Sequence, residues 1–274
     1  LLQQLWIDGV EGIAPTFVSC SIPALRNGLA VLREVRKQYS SDCCQLLGAH
    51  IEGPFLAKER KGAHDISALV APSLGALTDR IRGFEKEISI FTLAPELPGS
   101  LDVIQTLKEL GIIISLGHSS ADAEISQLAF QAGVKMLTHT FNGMPGLHHR
   151  AIGPIGMAIQ HGKIAMGLIA DGFHVEPFMA VLLQRIASKQ LFLVSDAIAP
   201  YGLEEGDYTW DKRLISAQRD CCRLDDGTLA GGKLPLLEGC KRLAEWTGEP
   251  SAAIWSATIS PRNVLENKSD SSEY

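Results

Sequence analysis

The chain lacks the features that mark nucleic-acid-binding and membrane proteins. It carries 25 Lys and Arg against 31 Asp and Glu, so the basic surface of a nucleic-acid binder is not expected. No apolar run approaches the roughly 18–20 residues that a membrane span needs. The first ten residues also lack the basic start of a signal peptide. We therefore predict a globular, cytoplasmic protein without a nucleic-acid or membrane partner.

Paired-cysteine motifs are missing as well. Six cysteines are present, and four of them form the adjacent pairs Cys43-Cys44 and Cys221-Cys222. No CxxC spacing occurs, which excludes a zinc ribbon or a thioredoxin-type motif. Six cysteines in a chain of 274 residues do not make a disulfide framework. Reduced thiols in a cytosolic protein are the expectation.

What the chain does contain is an alternation of short apolar runs with amphipathic stretches. Seven runs rich in β-branched residues are candidate strands, and their near-continuous hydrophobicity is typical of parallel strands covered on both faces. They span residues 12–18, 44–51, 88–95, 111–118, 135–141, 164–171 and 191–198. Amphipathic segments between them, such as the one that follows Ser21 and Pro23, predict helices. The alternation predicts an α/β fold, either a barrel or a doubly wound sheet.

Polar residues recur at the carboxyl ends of these strands, and this favours the barrel. A doubly wound sheet gathers its site at one switch point, whereas a barrel collects side chains from many strand ends on one face. The residues concerned are Glu52, Glu96, His118, His139, Asp171 and Asp196. We predict a (β/α)8 TIM-type barrel over residues 1–265, with the first strand missing. A β-hairpin insertion at about 205–232 and a frayed polar tail at 266–274 complete the prediction.

Four of the strand-end residues form a candidate metal-dependent site. His118, His139 and Glu52 are a sufficient shell for a catalytic zinc-type ion with an open position for water. A cation would also offset the cost of burying Glu52 within the apolar stretch GAHIEGPF. Asp196 would then act as a general base beside the bound water. Each residue alone has a structural explanation, such as a hydrogen-bonded histidine or an aspartate that caps a turn.

Seven ordered motifs resemble those of the N-acetylglucosamine-6-phosphate deacetylases of the amidohydrolase superfamily. They are GAHIEGPF, KGAH, SLGHSSA, THTFNGMPGLHHR, IADGFHV, LVSDAIAPYG and DGTLAGG, and the resemblance runs from about residue 9 to 265. It implies metal-dependent hydrolysis of N-acetylglucosamine 6-phosphate to glucosamine 6-phosphate and acetate. It also implies a homodimer and one divalent ion, zinc first, with iron, cobalt or manganese as alternatives.

The resemblance also implies roles for individual residues. Glu52, His118 and His139 would bind the metal, and Asp196 and His64 would be catalytic. The residues implied to bind the substrate are Ala63, His64, Asn142, Gly143, Arg150, Asp171, His174, Leu229, Ala230 and Gly231. We expect the family's first barrel strand and small β-sandwich domain to be absent or truncated. Two alternatives stay open: an amidohydrolase for a different acylated amine, and an inactive truncated homologue.

Overall fold

The computed structural model describes residues 1–38, 40, 42–211 and 213–266, and its main element is a parallel sheet. In chain order the strands are β1 Gly12–Ile13, β2 Thr16–Phe17, β3 Gln45–Leu46, β4 Ala49–Glu52, β5 Ile88–Leu93, β6 Ile113–Leu116, β7 Val134–Leu137, β8 Ala165–Ile169, β9 Leu191–Val194, β10 Gly206–Trp210, β11 Arg213–Ala217, β12 Cys221–Leu224 and β13 Leu229–Gly232. Seven of them form one sheet in the order β2-β4-β5-β6-β7-β8-β9. Every neighbouring pair in this sheet is parallel. Each predicted apolar run contributes one strand, so the predicted α/β class with a parallel sheet is confirmed.

The first two predicted strands are each divided into two short ones. β1 and β2 are separated at Ala14 and Pro15, and proline has no N–H to donate to a ladder. β3 and β4 are separated at Leu47 and Gly48, where φ of the glycine is +106° and a Cβ would collide with Oγ of Ser89. β1 and β3 form a separate two-stranded pair outside the main sheet.

Helices connect the strands, and those between β2 and β9 cover the outer face of the sheet. They are α1 Leu2–Ile7, α2 Ile22–Arg36, α3 Leu74–Ile81, α4 Ser100–Glu109, α5 Ala123–Ala132, α6 Gly153–His161, α7 Pro177–Ala187, α8 Leu236–Thr247, α9 Pro250–Ala257 and α10 Ile259–Glu266. The Ser21 side chain caps α2, as predicted, by accepting from the N–H of Ala24. Glu266 ends α10, and the rest of the predicted tail, 267–274, lies outside the described residues. Within those residues, no helix has the length and apolarity to cross a membrane.

The inner face of the curled sheet is layered along the strand direction. Alternate residues of a strand share a face, so Ile113 is followed on β6 by Ser115, and Met136 of β7 is followed by Thr138 directly after the strand. Ile113 and Met136 belong to an apolar cluster that includes Val264 and Leu265 of α10, among others. The hydroxyl residues form the next layer, and polar residues follow the strand ends. This order leaves the carboxyl ends of the strands for a site.

The strands β10, β11, β12 and β13 form a four-stranded antiparallel sheet, so the predicted two-stranded hairpin is wrong. β10, with the sequence GDYTW, is largely exposed and has no alternating apolar pattern that would predict a strand. The last strand of this sheet lies against the loop that follows β9, because the N–H of Gly232 donates to the carbonyl O of Asp196 at 2.8 Å. A Cβ at Gly232 would collide with the carbonyl O of Ser195, so this close approach requires glycine.

Candidate metal and catalytic site

Glu52, His118 and His139 meet where β4, β6 and β7 end. Oε1 of Glu52 lies 3.2 Å from Nε2 of His118 and 3.0 Å from Nε2 of His139. The two Nε2 atoms are 3.1 Å apart, and all three residues are buried. Three distant parts of the chain thus supply one compact group that could hold a metal ion.

The hydrogen position on His118 shows that these atoms suit a cation. Nδ1 of His118 lies 2.7 Å from the carbonyl O of Arg60. A carbonyl only accepts, so Nδ1 carries a hydrogen, and in the neutral ring Nε2 then presents its lone pair to Glu52 and His139. A cation between this lone pair and the carboxylate oxygen would be stabilised by both. Two imidazole nitrogens and one carboxylate oxygen are a donor set that catalytic zinc accepts.

The electrostatics of the group centre on Glu52. Burial tends to raise the pKa of Glu52, but hydrogen bonds and charges of His118 and His139 outweigh it and hold that pKa well below its usual range. Burial alone would lower the pKa of His139, but the hydrogen bond to Glu52 and the negative charge of Glu52 outweigh burial and raise this pKa to about 9. A proton on His139 therefore balances Glu52 in the absence of a metal, and metal binding would displace it.

The backbone at the strand ends adopts an uncommon conformation. His118, His139 and Asp196 have φ values of 48°, 28° and 47°, in the left-handed region that residues other than glycine rarely occupy. Each is the second residue after its strand, since β6, β7 and β9 end at 116, 137 and 194. Such strained residues cluster at functional sites.

His64 adds a neutral hydrogen-bond donor to this group. Its Nδ1 accepts from the main-chain N–H of Ser19 at 3.2 Å, so the ring hydrogen sits on Nε2. Nε2 lies 3.8 Å from Oε2 of Glu52. Burial, only partly opposed by the charge of Glu52, lowers the pKa of His64 to about 3. The ring is therefore neutral near pH 7 and directs an N–H into the site.

Asp196 is a half-buried carboxyl group on the loop after β9. Burial raises the pKa of Asp196 to about 6. The charge of His139 lowers this pKa, the charge of Glu52 raises it, and the charge of His174 lowers it. A carboxyl group with a pKa near the working pH is suited to proton transfer. Gly231 of β13 lies against this loop, since a Cβ there would be 2.8 Å from the carbonyl O of Asp196. The predicted substrate-binding residues Leu229, Ala230 and Gly231 thus share one strand beside Asp196.

A hydrogen-bonded layer lies beneath the ligands, on the inner face of the sheet. Nδ1 of His50 lies 3.0 Å from the hydroxyl of Thr16, and its Nε2 lies 2.7 Å from that of Thr92. The hydroxyl of Thr92 is 2.7 Å from that of Thr138, which also contacts Ser115. Burial lowers the pKa of His50 to about 4, so this layer carries no charge near pH 7.

Other predicted substrate-binding residues lie close to the ligands. Ala63 is buried, and its carbonyl O accepts from the guanidinium of Arg213. The amide of Asn142 donates to the carbonyl O of His139 at 3.3 Å. Gly143 has a φ of +62°, and a Cβ there would lie 2.9 Å from Nδ1 of His118.

Asp171 and His174 form a buried pair after β8, with Oδ2 and Nδ1 2.6 Å apart. Arg150, by contrast, is exposed in the loop after β7. Its main-chain N–H donates to Nδ1 of His148. Within the described part of the chain, no hydrogen bond or ion pair joins its guanidinium to the metal-type group.

Three residues near the site were not predicted from the sequence. Arg60 holds His118 through its main-chain carbonyl, a contact that leaves no trace in residue type. Ser19 contacts Nδ1 of His64 through both its main-chain N–H and its hydroxyl. Arg213 comes from the sheet whose extent was underestimated. Of the three, only Ser19 could have been predicted from its position, because it directly follows the first predicted apolar run. The strand-end residues predicted from the sequence were identified by the same kind of position.

A parallel α/β sheet with two histidines and a carboxylate converging at its strand ends is the arrangement expected of a metal-dependent enzyme. No family model matches the chain. It is 34% identical over 258 residues to an N-acetylglucosamine-6-phosphate deacetylase of Vibrio furnissii, covering 94% of this chain and 64% of the relative. It is 32% identical over 259 residues to an N-acetylgalactosamine-6-phosphate deacetylase of Escherichia coli O157:H7, covering 94% of this chain and 68% of the relative.

Solved structures agree with these relatives. The fold matches N-acetylglucosamine-6-phosphate deacetylase from Pasteurella multocida with a TM-score of 0.88 and 29% identity, over 95% of this chain and 68% of that one. It matches the enzyme of the same name from Thermotoga maritima with a TM-score of 0.88 and 30% identity, over 97% and 72%. The chain belongs to the N-acetylglucosamine-6-phosphate deacetylase family. It spans 64% to 68% of the length of the two sequence relatives above.

Proposed function

We propose that the chain hydrolyses the acetamide of N-acetylglucosamine 6-phosphate to glucosamine 6-phosphate and acetate. The observation that carries this proposal is the convergence of Glu52, His118 and His139, with His64 beside them, at one end of the sheet. The names of the relatives supply the substrate class. N-acetylgalactosamine 6-phosphate is the second candidate substrate, because the Escherichia coli relative is named for it.

The residues divide the chemistry among them. Glu52, His118 and His139 would hold one divalent ion, zinc first, with iron, cobalt or manganese as alternatives. When bound, such an ion supplies Lewis-acid polarisation of the acetyl carbonyl and lowers the pKa of a bound water. The carboxylate of Asp196 accepts a proton from the attacking water and later delivers it to the departing amine. The Nε2–H of His64 donates to the negative charge that develops on the carbonyl oxygen.

Substrate binding is proposed to involve residues at and beyond the strand ends. Ala63, Asn142 and the β13 residues flank the ligands, as described above. We propose that Arg150 binds the phosphate, since a guanidinium forms two parallel hydrogen bonds to it. Its exposed position, apart from the ligands of its own chain, suits a homodimer in which this loop serves the partner's site.

We also propose that residues 1–265 are one domain, with seven strands of a TIM-type (β/α)8 barrel. Contacts between distant segments bridge the two edges of the open sheet. The hydroxyl of Tyr201 donates to Oδ2 of Asp8 at 2.5 Å, and Arg262 pairs with Glu11. The unmatched third of the relatives leaves room for a further strand and for a small β-sandwich domain.

The proposal is tested by measuring acetate release from both N-acetylhexosamine 6-phosphates with added zinc. We expect release by the parent and none above background by Asp196→Asn. Asp226→Asn is the matched control, since Asp226 is an exposed carboxylate in the turn before β13. No release from a folded, zinc-loaded parent would overturn the proposed activity. A preference for N-acetylgalactosamine 6-phosphate would change the proposed substrate and leave the proposed reaction in place.

A further inference from the structure

We propose that Glu96 positions the metal ligand His118 by holding the two residues that directly follow it. Glu96 is one of the polar residues found at the strand ends in the sequence, but the resemblance implies no role for it. The inference rests on the metal site of the proposed function. It makes Glu96 a positioning residue, which acts through His118 and contacts neither the ion nor the substrate.

The carboxylate of Glu96 binds the chain directly after His118. Oε2 of Glu96 accepts from the hydroxyl of Ser119 at 2.7 Å, and Oε1 accepts from the main-chain N–H of Ser120 at 2.5 Å. The hydroxyl oxygen of Ser119, a fully buried residue, also accepts from the N–H of Ala121 at 3.0 Å. Both oxygens of one side chain are therefore bonded to two adjacent residues, and this two-point contact restrains the chain where it leaves β6.

His118 has a backbone conformation that its surroundings must maintain. Its φ is 48°, and residues in this region persist only where the structure around them holds them. The carbonyl O of His118 accepts from the N–H of Ala57, and the N–H of Ser119 donates to the carbonyl O of Gly143, each at 2.9 Å. These are contacts between main-chain atoms. Glu96 adds a carboxylate to them, and hydrogen bonds to a charged group are the stronger kind.

Arg60 connects the segment held by Glu96 to the ring of His118. The Nε–H of Arg60 donates to the hydroxyl of Ser120 at 3.1 Å, and its carbonyl O accepts from Nδ1 of His118 at 2.7 Å. A displacement of Ser120 therefore acts on Arg60, and through Arg60 on the acceptor that orients the ring. Loss of the Glu96 carboxylate would thus affect both the main chain and the ring of this ligand.

Two substitutions of Glu96 separate its contacts from its charge. Glu96→Ala removes both the contacts and the charge. In Glu96→Gln, Oε1 can still accept from the N–H of Ser120, and the amide group can donate to the hydroxyl oxygen of Ser119, so both contacts are kept without the charge.

Asp122→Ala is the matched control for a carboxylate in the same segment. Asp122 lies four residues after His118, and its Oδ1 caps α5 by accepting from the N–H of Ile125 at 2.9 Å. Removal of this cap destabilises the helix but leaves the contacts of Glu96 in place.

The zinc affinity of the full chain, measured by competition with a chelator, is the first readout. We expect Glu96→Ala to weaken zinc binding about tenfold, the lower end of the effect of outer contacts, because Glu96 acts through the main chain. Glu96→Gln should restore most of the affinity. Asp122→Ala should bind zinc as the parent does, although it should unfold at a lower urea concentration.

The visible spectrum of the cobalt-loaded protein is the second readout. The absorption of bound Co²⁺ depends on the geometry of its ligands, so at saturating cobalt it should change in Glu96→Ala and not in Asp122→Ala. If Glu96→Ala does not fold, Ser119→Ala removes one of the two contacts of Glu96. It should shift the affinity and the spectrum in the same direction.

The possible results separate this inference from the proposed function. Unchanged zinc affinity in Glu96→Ala would overturn the positioning role. An equal loss in Asp122→Ala would do the same, because affinity would then follow stability, and so would equal losses in Glu96→Gln and Glu96→Ala, because the charge would then matter and not the contacts. A parent that binds no zinc would overturn the inference together with the proposed metal site. If the parent binds zinc but releases no acetate while Glu96→Ala weakens zinc binding as expected, the proposed activity fails and the positioning of His118 by Glu96 stands.

Discussion

Replacing Gly143 by alanine places a methyl group where the His118 ring now lies. The new Cβ would be 2.9 Å from Nδ1 of His118, and φ at this position is +62°. The left-handed conformation alone costs alanine about 1–2 kcal/mol. The methyl group must also move the ring away from the carbonyl O of Arg60, and a buried acceptor left without its donor costs about 1–3 kcal/mol.

We therefore expect Gly143→Ala to lower the free energy of unfolding by about 2–5 kcal/mol, the sum of the two costs. Gly162→Ala is the matched control, because Gly162 has a φ of +77° and a Cβ added there would have no neighbour within 4 Å. It should cost only the conformational part, about 1–2 kcal/mol. Urea denaturation of the metal-free proteins measures both values.

Zinc affinity provides the second half of the assay. The bond from Nδ1 to Arg60 orients the His118 ring, and loss of such an outer contact weakens metal binding by about 10–100-fold. Competition with a chelator should show this loss in Gly143→Ala and not in Gly162→Ala. Equal destabilisation of the two variants with equal zinc affinity would refute the reasoning. Gly143 would then be needed for its backbone conformation and not for the space it leaves.

Two further predictions concern the hydroxyl layer and Asp196. Thr138→Val should lower the free energy of unfolding by about 1–3 kcal/mol, because it leaves the hydroxyls of Thr92 and Ser115 short of a partner. Thr140→Val is the control and should be neutral or stabilising, since the buried hydroxyl of Thr140 has no partner in the described residues. Similar urea midpoints for both variants would contradict this prediction. A protonated Asp196 cannot accept a proton, so kcat/KM should fall as pH drops through about 6, the raised pKa of this group, and a bound cation should move that fall to lower pH. Because the pKa of Asp196 is raised in the folded state, the metal-free protein should lose about 1 kcal/mol of stability as the pH rises toward about 6. An equal loss in Asp196→Asn would contradict this prediction.

The parallel sheet could be predicted because its strands are buried on both faces. Their apolar runs are long enough to stand out, and a polar residue that ends such a run is conspicuous. Glu52, His118 and His139 were found in this way, and the structure brings them together; their role as metal ligands stays a prediction. The breaks at Pro15 and Gly48 show that continuous hydrophobicity predicts burial and not unbroken pairing.

The rest depends on contacts that residue type does not encode. β10 is largely exposed, so no burial pattern marks it as a strand. The hydrogen positions on His64 and His118 are set by main-chain atoms of Ser19 and Arg60, which any residue could supply. The contacts of the Asp171 carboxylate with its own loop and with His174 likewise depend on local geometry that residue type does not encode.

The packing of α10 into the inner face of the sheet has a consequence for biosynthesis. Val264 and Leu265 complete the apolar cluster that Ile113, Met136 and Phe192 begin. A ribosome must therefore deliver residues more than a hundred positions beyond Met136 before this interior is sealed. Until then the unfinished sheet exposes apolar side chains to water and to other chains, the condition in which nascent proteins aggregate or recruit chaperones.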